Sequence, residues 1–234
     1  VNIYINNQNT HILYIRIKEN CLSIYIMLIP LNRMVEHFNM NIRGILHVGA
    51  HECEEQPDYI AQGVKNENIH WVEAMRDKVE EMLMRNPMIN IYQAVISDKN
   101  DDVVEFKITN NGQSSSILSL GTHLQHHPHV HVTETRKLRT SRLDKVIETN
   151  NINMETINFM NLDIQGAELL ALKSMEGYLH HIDYIYTEVN TEKVYEDCAL
   201  MSEIDEYLAP FGFKRAANRI YKEYGWGDAL YIRS

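Results

Sequence analysis

Cysteine is scarce: Cys21, Cys53 and Cys198 are the three among 234 residues. An odd number at long spacings makes neither a disulfide framework nor a zinc-ligand pattern. It points to a reducing compartment, the cytoplasm (a host's, if the chain is viral). Long apolar runs are also missing. The most apolar early stretch, residues 21–31 (CLSIYIMLIPL), falls short of the ~20 residues a membrane helix needs. Arg16, Lys18 and Glu19 precede it and no small-residue cleavage site follows, so neither a membrane span nor a secretory leader is expected. Basic charge is in deficit, with 22 Lys and Arg against 32 Asp and Glu and a net charge of −10. Affinity for nucleic acid comes mainly from cations on phosphates, so no nucleic-acid partner is expected. The one dense basic cluster, Arg136, Lys137, Arg139 and Arg142, reads as a solvated strand face.

What is present is ordinary for a globular chain: 44% hydrophobic and 23% charged residues. The length suits one large domain with an added segment. Residues 1–40 read as an N-terminal arm or extension, the first 26 of them as an upstream addition, and residues 41–234 as the domain. From residue 41 short apolar runs alternate with amphipathic stretches. Strands are expected at 45–48, 70–73, 89–96, 103–108, 157–164 and 184–189. Helices are expected at 54–62, 76–85, 141–148, 166–175 and 201–208, and a C-terminal hairpin at 213–221 and 228–232. Strands alternating with helices mean a parallel sheet with crossover helices. Residues 110–135 are polar and histidine-rich and read as one long loop, a length that is unusual unless functional.

In such sheets ligands bind at the carboxyl ends of the strands. Those ends carry Gly49-Ala50-His51, Glu73-Ala74, Ser97-Asp98, Asp163 with Gln165 and Gly166, and Glu188 with Asn190. Gly49 permits a sharp turn and close approach of a ligand to the main chain. Glu73, at the next strand end, suits the two hydroxyls of a ribose. Asp98 can accept from an adenine amino group. A dinucleotide requires G-x-G-x-x-G, and here the run is G-A-H-E-C-E. Glu52, Glu54 and Glu55 would repel a pyrophosphate, whereas the sulfonium of S-adenosylmethionine carries no phosphate and suits an acidic loop. Glu54 and Glu55 also fit the positive end of the helix that follows.

Taken in order, ILHVGAHECEE, IHWVEAM, YQAVISDKNDDVVEF, NGQSSSIL, TSRLD, NLDIQGAELLALKSM, YTEVN and GWGDALYI resemble the FkbM family of S-adenosylmethionine-dependent methyltransferases over residues 41–232. The resemblance implies an α/β fold of the Rossmann-like class I methyltransferase type, a seven-stranded mostly parallel sheet with an antiparallel C-terminal hairpin. It places Gly49 and Ala50 in the first cofactor motif, Glu73 on the ribose and Asp98 on the adenine side. Ser115 and Ser116 match the family's serine-rich segment, and Asp163, Gly166 and Glu168 match its D-x-E-G-A-E run. His47, His51, Cys53 and Gln165 depart from the family pattern. Cys53 replaces a further glycine, and Gln165 removes a carboxylate that would serve as base or metal ligand.

The expected donor is therefore S-adenosylmethionine, and the expected reaction is O-methylation of a sugar, glycan or small-metabolite hydroxyl. The cofactor-binding set is Gly49, Ala50, His51, Glu73, Ala74, Ser97, Asp98, Ser115, Ser116 and Gln165. A hydroxyl must lose its proton, and the candidate catalytic groups are Asp163, Glu188 and His127 of the long loop. A divalent cation could also activate a hydroxyl, but no ligand pattern in the sequence supports one, and no metal ligand is assigned. Tyr178, Tyr184, Tyr186 and Tyr195 could line a sugar site or simply pack. Cys53 and Gln165 keep open an alternative: a catalytically degenerate methyltransferase fold serving as a binding or scaffolding protein.

Overall fold

The computed structural model describes residues 27–234 in full and, before them, the backbone of two strands, β1 (Asn2–Ile5) and β2 (Leu13–Arg16). The upstream addition expected at residues 1–26 otherwise lies outside the described residues. Next come α1 (Leu31–Phe38), β3 (Ile45–Val48), α2 (Gln56–Ala61), β4 (Ile69–Glu73), α3 (Arg76–Arg85), β5 (Asn90–Gln93) and β6 (Val95–Ile96). The middle of the chain holds β7 (Val103–Thr109), α4 (His123–His126), β8 (Val132–Ser141), α5 (Leu143–Thr149) and β9 (Phe159–Leu162). The chain closes with α6 (Glu168–Ser174), β10 (Tyr184–Asn190), α7 (Met201–Leu208), β11 (Phe213–Tyr221) and β12 (Trp226–Arg233).

The main sheet runs β2-β1-β11-β12-β10-β9-β3-β4-β5. Its seven strands from β11 to β5 make the expected mostly parallel sheet. The pairs β10·β9, β9·β3, β3·β4 and β4·β5 are parallel, and β12 runs antiparallel between β10 and β11. The hairpin β1–β2 extends the sheet beyond β11.

Helices cover both faces, which is why β3 and β9 are buried along their whole length. Leu46, Val48, Met160, Leu162, Ile185 and Val189 point one way, against α5, α6 and α7. Ile45, Trp71, Phe159, Tyr186 and Leu230 point the other way, against α1, α2 and α3. Met27 and Ile29, together with Leu31 and Met34 of α1, belong to this second core, although they lie before residue 41. Helix α3 ends where Pro87 forces Asn86 into an extended conformation, φ −143°. Among the described residues no helix is long and apolar enough to cross a membrane.

Two sequence expectations need correction. The single strand expected at 89–96 is two: the chain breaks at Ala94, whose N–H donates to the Glu73 carbonyl at 2.9 Å, and β6 leaves for a small second sheet, β6-β8-β7. The loop expected at 110–135 contains α4 and runs into the long strand β8. Strand β8 escapes a periodicity reading because it is solvated along most of its length and carries little apolar alternation. Its basic cluster is largely occupied: Arg136 pairs with Asp77 and Glu134, Arg139 donates to the Asp101 carbonyl, and Arg142 pairs with Asp144.

Candidate functional site

The strand ends of β3, β4 and β9 face the small sheet across a cleft with about 570 Å³ of empty space, open solvent at its mouth included. Its floor is Gly49, Glu73 and Asp163, and its apolar wall includes Val95, Ile96, Phe106 and Ile117. The turn after β3 is tight because Gly49 sits at φ +97°, with its α-carbon against the main chain of Asp163; a Cβ there would lie 1.8 Å from the Asp163 carbonyl oxygen. His51 at φ +44° and Cys53 at φ +56° continue the turn in the left-handed region, as non-glycine residues.

Glu73 is buried at the end of β4. The N–H of His51 donates to Oε2 and that of Met75 to Oε1, each at 2.8 Å. Burial raises its carboxyl above the ordinary range, and these two amides draw it back down. Each carboxylate oxygen keeps a lone pair beyond the amide it accepts, so the group can accept from two further donors in the cleft it lines. His51 also lines the cleft and is held by Glu54 Oε1 at 2.7 Å from Nδ1; that hydrogen bond raises its pKa. Glu52 is engaged by Lys78 at 2.5 Å and by Arg85 at 3.4 Å, so its charge is directed away from the cleft.

At the end of β9 the chain turns through Gln165 (φ +57°) and Gly166 (φ +99°). Gln165 Nε2 donates to Asp163 Oδ1 at 2.5 Å and to Glu188 Oε2 at 2.9 Å, and its Oε1 accepts from the Tyr195 hydroxyl. One amide thus ties the Asp163 carboxylate in the cleft to that of Glu188 on β10. Burial raises both carboxyls, and Glu188 is pushed well above the usual range, first by burial and then by Asp163 and Glu168. Glu168 is a loop clamp: its Oε1 accepts from the N–H groups of Ile164 at 3.0 Å and Gly166 at 3.1 Å, and burial lifts it to about 7.

Gly49, His51, Glu73, Ala74, Ser115, Asp163 and Gln165 therefore come together around one cleft. Ala50 is buried behind the turn. Ser116 is buried beside the cleft, donating to the Gln165 carbonyl at 2.8 Å. Ser97 and Asp98 follow β6 out of the main sheet and do not line the cleft; the Asp98 carbonyl accepts from Arg142 at 2.9 Å. Glu188 joins through Gln165 alone. His127 lies off the cleft, its ring centroid 5.1 Å from that of Tyr224 and 5.0 Å from that of His123. His126 Nε2 is 2.8 Å from Glu192, and among the described residues no group of His, Cys, Asp or Glu is arranged to hold a metal ion. The sequence reading missed the apolar wall: Val95, Phe106 and Ile117 are cleft residues only because β6 and β7 fold over the strand ends. Phe106, the apolar centre of an alternating strand, was the available signal.

The sheet order, with its cleft at the switch point between β3 and β9, is that of a Rossmann-like α/β fold. The chain belongs to the FkbM methyltransferase domain family, whose model matches residues 47–220. No curated protein matches. Among solved structures the chain is similar to the methyltransferase FkbM from Methylobacillus flagellatus KT, at 13% identity and TM-score 0.49, over 81% of this chain and 44% of that one. It thus spans under half the length of that relative. It is also similar to magnesium protoporphyrin IX methyltransferase from Synechocystis PCC 6803, solved with bound S-adenosylmethionine, at 11% identity and TM-score 0.43, over 87% of this chain and 76% of that one. The 16S rRNA methylase ArmA matches at 9% identity and TM-score 0.38, over 87% and 81%.

Proposed function

We propose that this chain is an S-adenosylmethionine-dependent O-methyltransferase acting on a hydroxyl of a sugar, glycan or small metabolite. The observation that carries the reading is the carboxylate Asp163. It lies in the same cleft as Glu73 and is bound through Gln165 to the buried carboxyl of Glu188. The donor, when bound, supplies an electrophilic methyl group on a sulfonium. Glu73 would hold the two ribose hydroxyls through its carboxylate oxygens, and the Val95–Phe106–Ile117 wall would exclude water from the cleft. Asp163 would take the proton from the acceptor oxygen as the O–C bond forms and the methyl C–S bond of the donor breaks, the sulfur leaving as a neutral thioether. Two carboxylates bridged by one amide do not ionise independently, so Glu188 holds a proton while Asp163 accepts one.

The net acidity of the chain supports an acceptor other than nucleic acid. The single-glycine turn supports a phosphate-free donor over a dinucleotide. Calorimetric titration with S-adenosylmethionine and S-adenosylhomocysteine tests the reading, on the wild type and on Glu73→Gln. Micromolar binding that weakens at least tenfold in the variant is expected. Absence of binding to the wild type would overturn the proposal in favour of a degenerate scaffold.

A further inference from the structure

The turn that floors the cleft has spent its main-chain donors. The N–H groups of Gly49 and Ala50 donate to the Val72 carbonyl at 2.9 and 3.1 Å, and that of His51 donates to Glu73. That of Glu52 donates to Glu54 Oε2 at 3.0 Å, and that of Cys53 to the Ala50 carbonyl at 2.6 Å. Glycine turns hold anions through such amides only where the amides are free. Side-chain cations are as scarce. Among the described residues no lysine or arginine lines the cleft, and its carboxylates are Glu73 and Asp163. An anionic ligand group entering here meets one counter-charge, the imidazole of His51.

The ring is held for that part. Nδ1 lies 2.7 Å from Glu54 Oε1, and a carboxylate only accepts, so Nδ1 carries its hydrogen in both charge states of the ring. Nε2 faces the opposite rim, where a Cβ on Gly112 would lie 3.5 Å from it, and both residues line the cleft. Nε2 makes no hydrogen bond among the described residues. Its proton therefore decides what the cleft presents there: an N–H donor on an imidazolium, or a bare lone pair that repels an anion. The charged groups that face the ring are Glu54 and Glu52 from its own turn, Lys78 from α3, Glu73 from the end of β4 and Asp163 from the turn after β9. Carboxylates outnumber the single ammonium, which is itself paired with Glu52. The Glu54 hydrogen bond is the strongest of these influences and favours the imidazolium.

S-adenosylmethionine and S-adenosylhomocysteine each carry one anionic group, an α-carboxylate on the arm attached to the ribose. The main-chain N–H of His51 reaches Glu73, so the ring stands beside the carboxylate proposed to hold that ribose. We infer that the His51 imidazolium is the counter-charge for the donor's α-carboxylate, and that it makes the cleft discriminate between adenosyl ligands that carry this group and those that lack it. The inference rests on the methyltransferase reading for the identity of the ligand, and it assigns a function to one of the residues that depart from the family pattern. Its sign with pH follows: the discrimination is full where His51 is charged and fades as pH rises through the value at which the ring loses its proton.

The test is calorimetric titration of the full chain from pH 6 to pH 9 with three ligands: S-adenosylhomocysteine, its decarboxylated amine analogue and 5′-methylthioadenosine. The first two share the adenosine and the amine. The ratio of their affinities therefore isolates the carboxylate from the titration of Glu73, Asp163 and the amine. At pH 6 S-adenosylhomocysteine is expected to bind at least tenfold more tightly than the amine analogue, and this ratio is expected to fall at least threefold by pH 9. His51→Asn keeps a side chain that tolerates φ +44° and removes the charge. It is expected to cut the ratio at pH 6 at least fivefold and to flatten it with pH, while 5′-methylthioadenosine binds as in the wild type. Glu54→Gln keeps the imidazole, and the fall in the ratio is expected to move to lower pH; this variant decides the matter should His51→Asn fail to fold. A wild-type ratio that does not change with pH would overturn the inference. So would an undiminished ratio in folded His51→Asn, an equal loss of all three ligands in that variant, or an unshifted profile in Glu54→Gln. Binding of 5′-methylthioadenosine with no preference for the carboxylate removes only this inference, whereas binding of none of the three removes the methyltransferase reading and the inference with it.

Discussion

Asp228 concentrates a physical conflict in one side chain. It is buried under the segment it anchors, and burial lifts its carboxyl to about 7 in spite of the Tyr186 and Leu28 donors. Glu168 is lifted to about 7 and Glu55 to about 8, in both cases chiefly by burial. A carboxyl whose folded-state pKa is raised binds its proton more tightly in the folded chain than in the unfolded one. Its contribution to stability is complete below the ordinary carboxylate range and is lost as pH rises through the folded value. Global stability is therefore expected to fall between pH 5 and 8. Each unit of pH across which only the folded state holds the proton is worth ~1.4 kcal/mol per group. Asp228→Asn keeps an acceptor for both donors and removes the titration. It is expected to flatten the decline by a few kcal/mol, measured as urea-unfolding free energy at successive pH values. A variant profile parallel to the wild type would show that Asp228 ionises without penalty.

At the scale of the element, the turn between β3 and α2 decides where the cleft floor lies. A Cβ on Gly49 would meet the Asp163 carbonyl oxygen at 1.8 Å, and φ +97° already disfavours any side chain. Gly63 offers the contrast: φ is +83°, but nothing stands within 4 Å of an added Cβ. Gly49→Ala is expected to destabilise by ~3 kcal/mol or more, through backbone displacement, and to weaken donor binding. Gly63→Ala carries only the conformational penalty, about 1–2 kcal/mol. Denaturant unfolding of the pair checks this, and equal losses would mean that the close approach is unimportant. Turns of this kind were readable from sequence because the strands around them are short, fully buried apolar runs ended by glycine or an acid. Residues 45–48 and 76–85 emerge in the structure with the expected bounds. What periodicity could not reveal was the small sheet. Val132–Ser141 has few buried positions to imprint a pattern, and the departure of β6 at Ala94 is a tertiary event. That departure is also why Ser97 and Asp98, sensible candidates at a strand end, lie outside the cleft. His127 was set apart for a similar reason: the chain after Gly121 packs on Tyr195 and Tyr224 rather than over Gly49.

For the whole molecule, the cleft is a seam between two sheets that are also joined by Ile96 in the main core, by Ala94 to Glu73 and by Arg136 to Asp77. Its floor belongs to β3, β4 and β9 and its wall to β6 and β7, so a ligand seated there touches both bodies at once. A ligand that binds only the folded chain adds stability by mass action, ~2.7 kcal/mol at one hundred times its dissociation constant. For a chain of this size each kcal/mol moves the melting temperature by about 2–4 °C. S-adenosylhomocysteine at that concentration is therefore expected to raise Tm by about 5–10 °C, in a single sharpened transition. NAD at equal concentration should leave Tm unchanged, because the turn after β3 has one glycine where a pyrophosphate needs three. Differential scanning fluorimetry with both ligands makes the comparison. A matching rise with NAD would mean that the cleft reads the adenosine moiety alone and tolerates phosphate, and the single-glycine turn would lose its role in choosing the donor. No rise with either would separate fold from ligand, leaving the two sheets held together by protein contacts, Met75, Val95 and Phe106 among them.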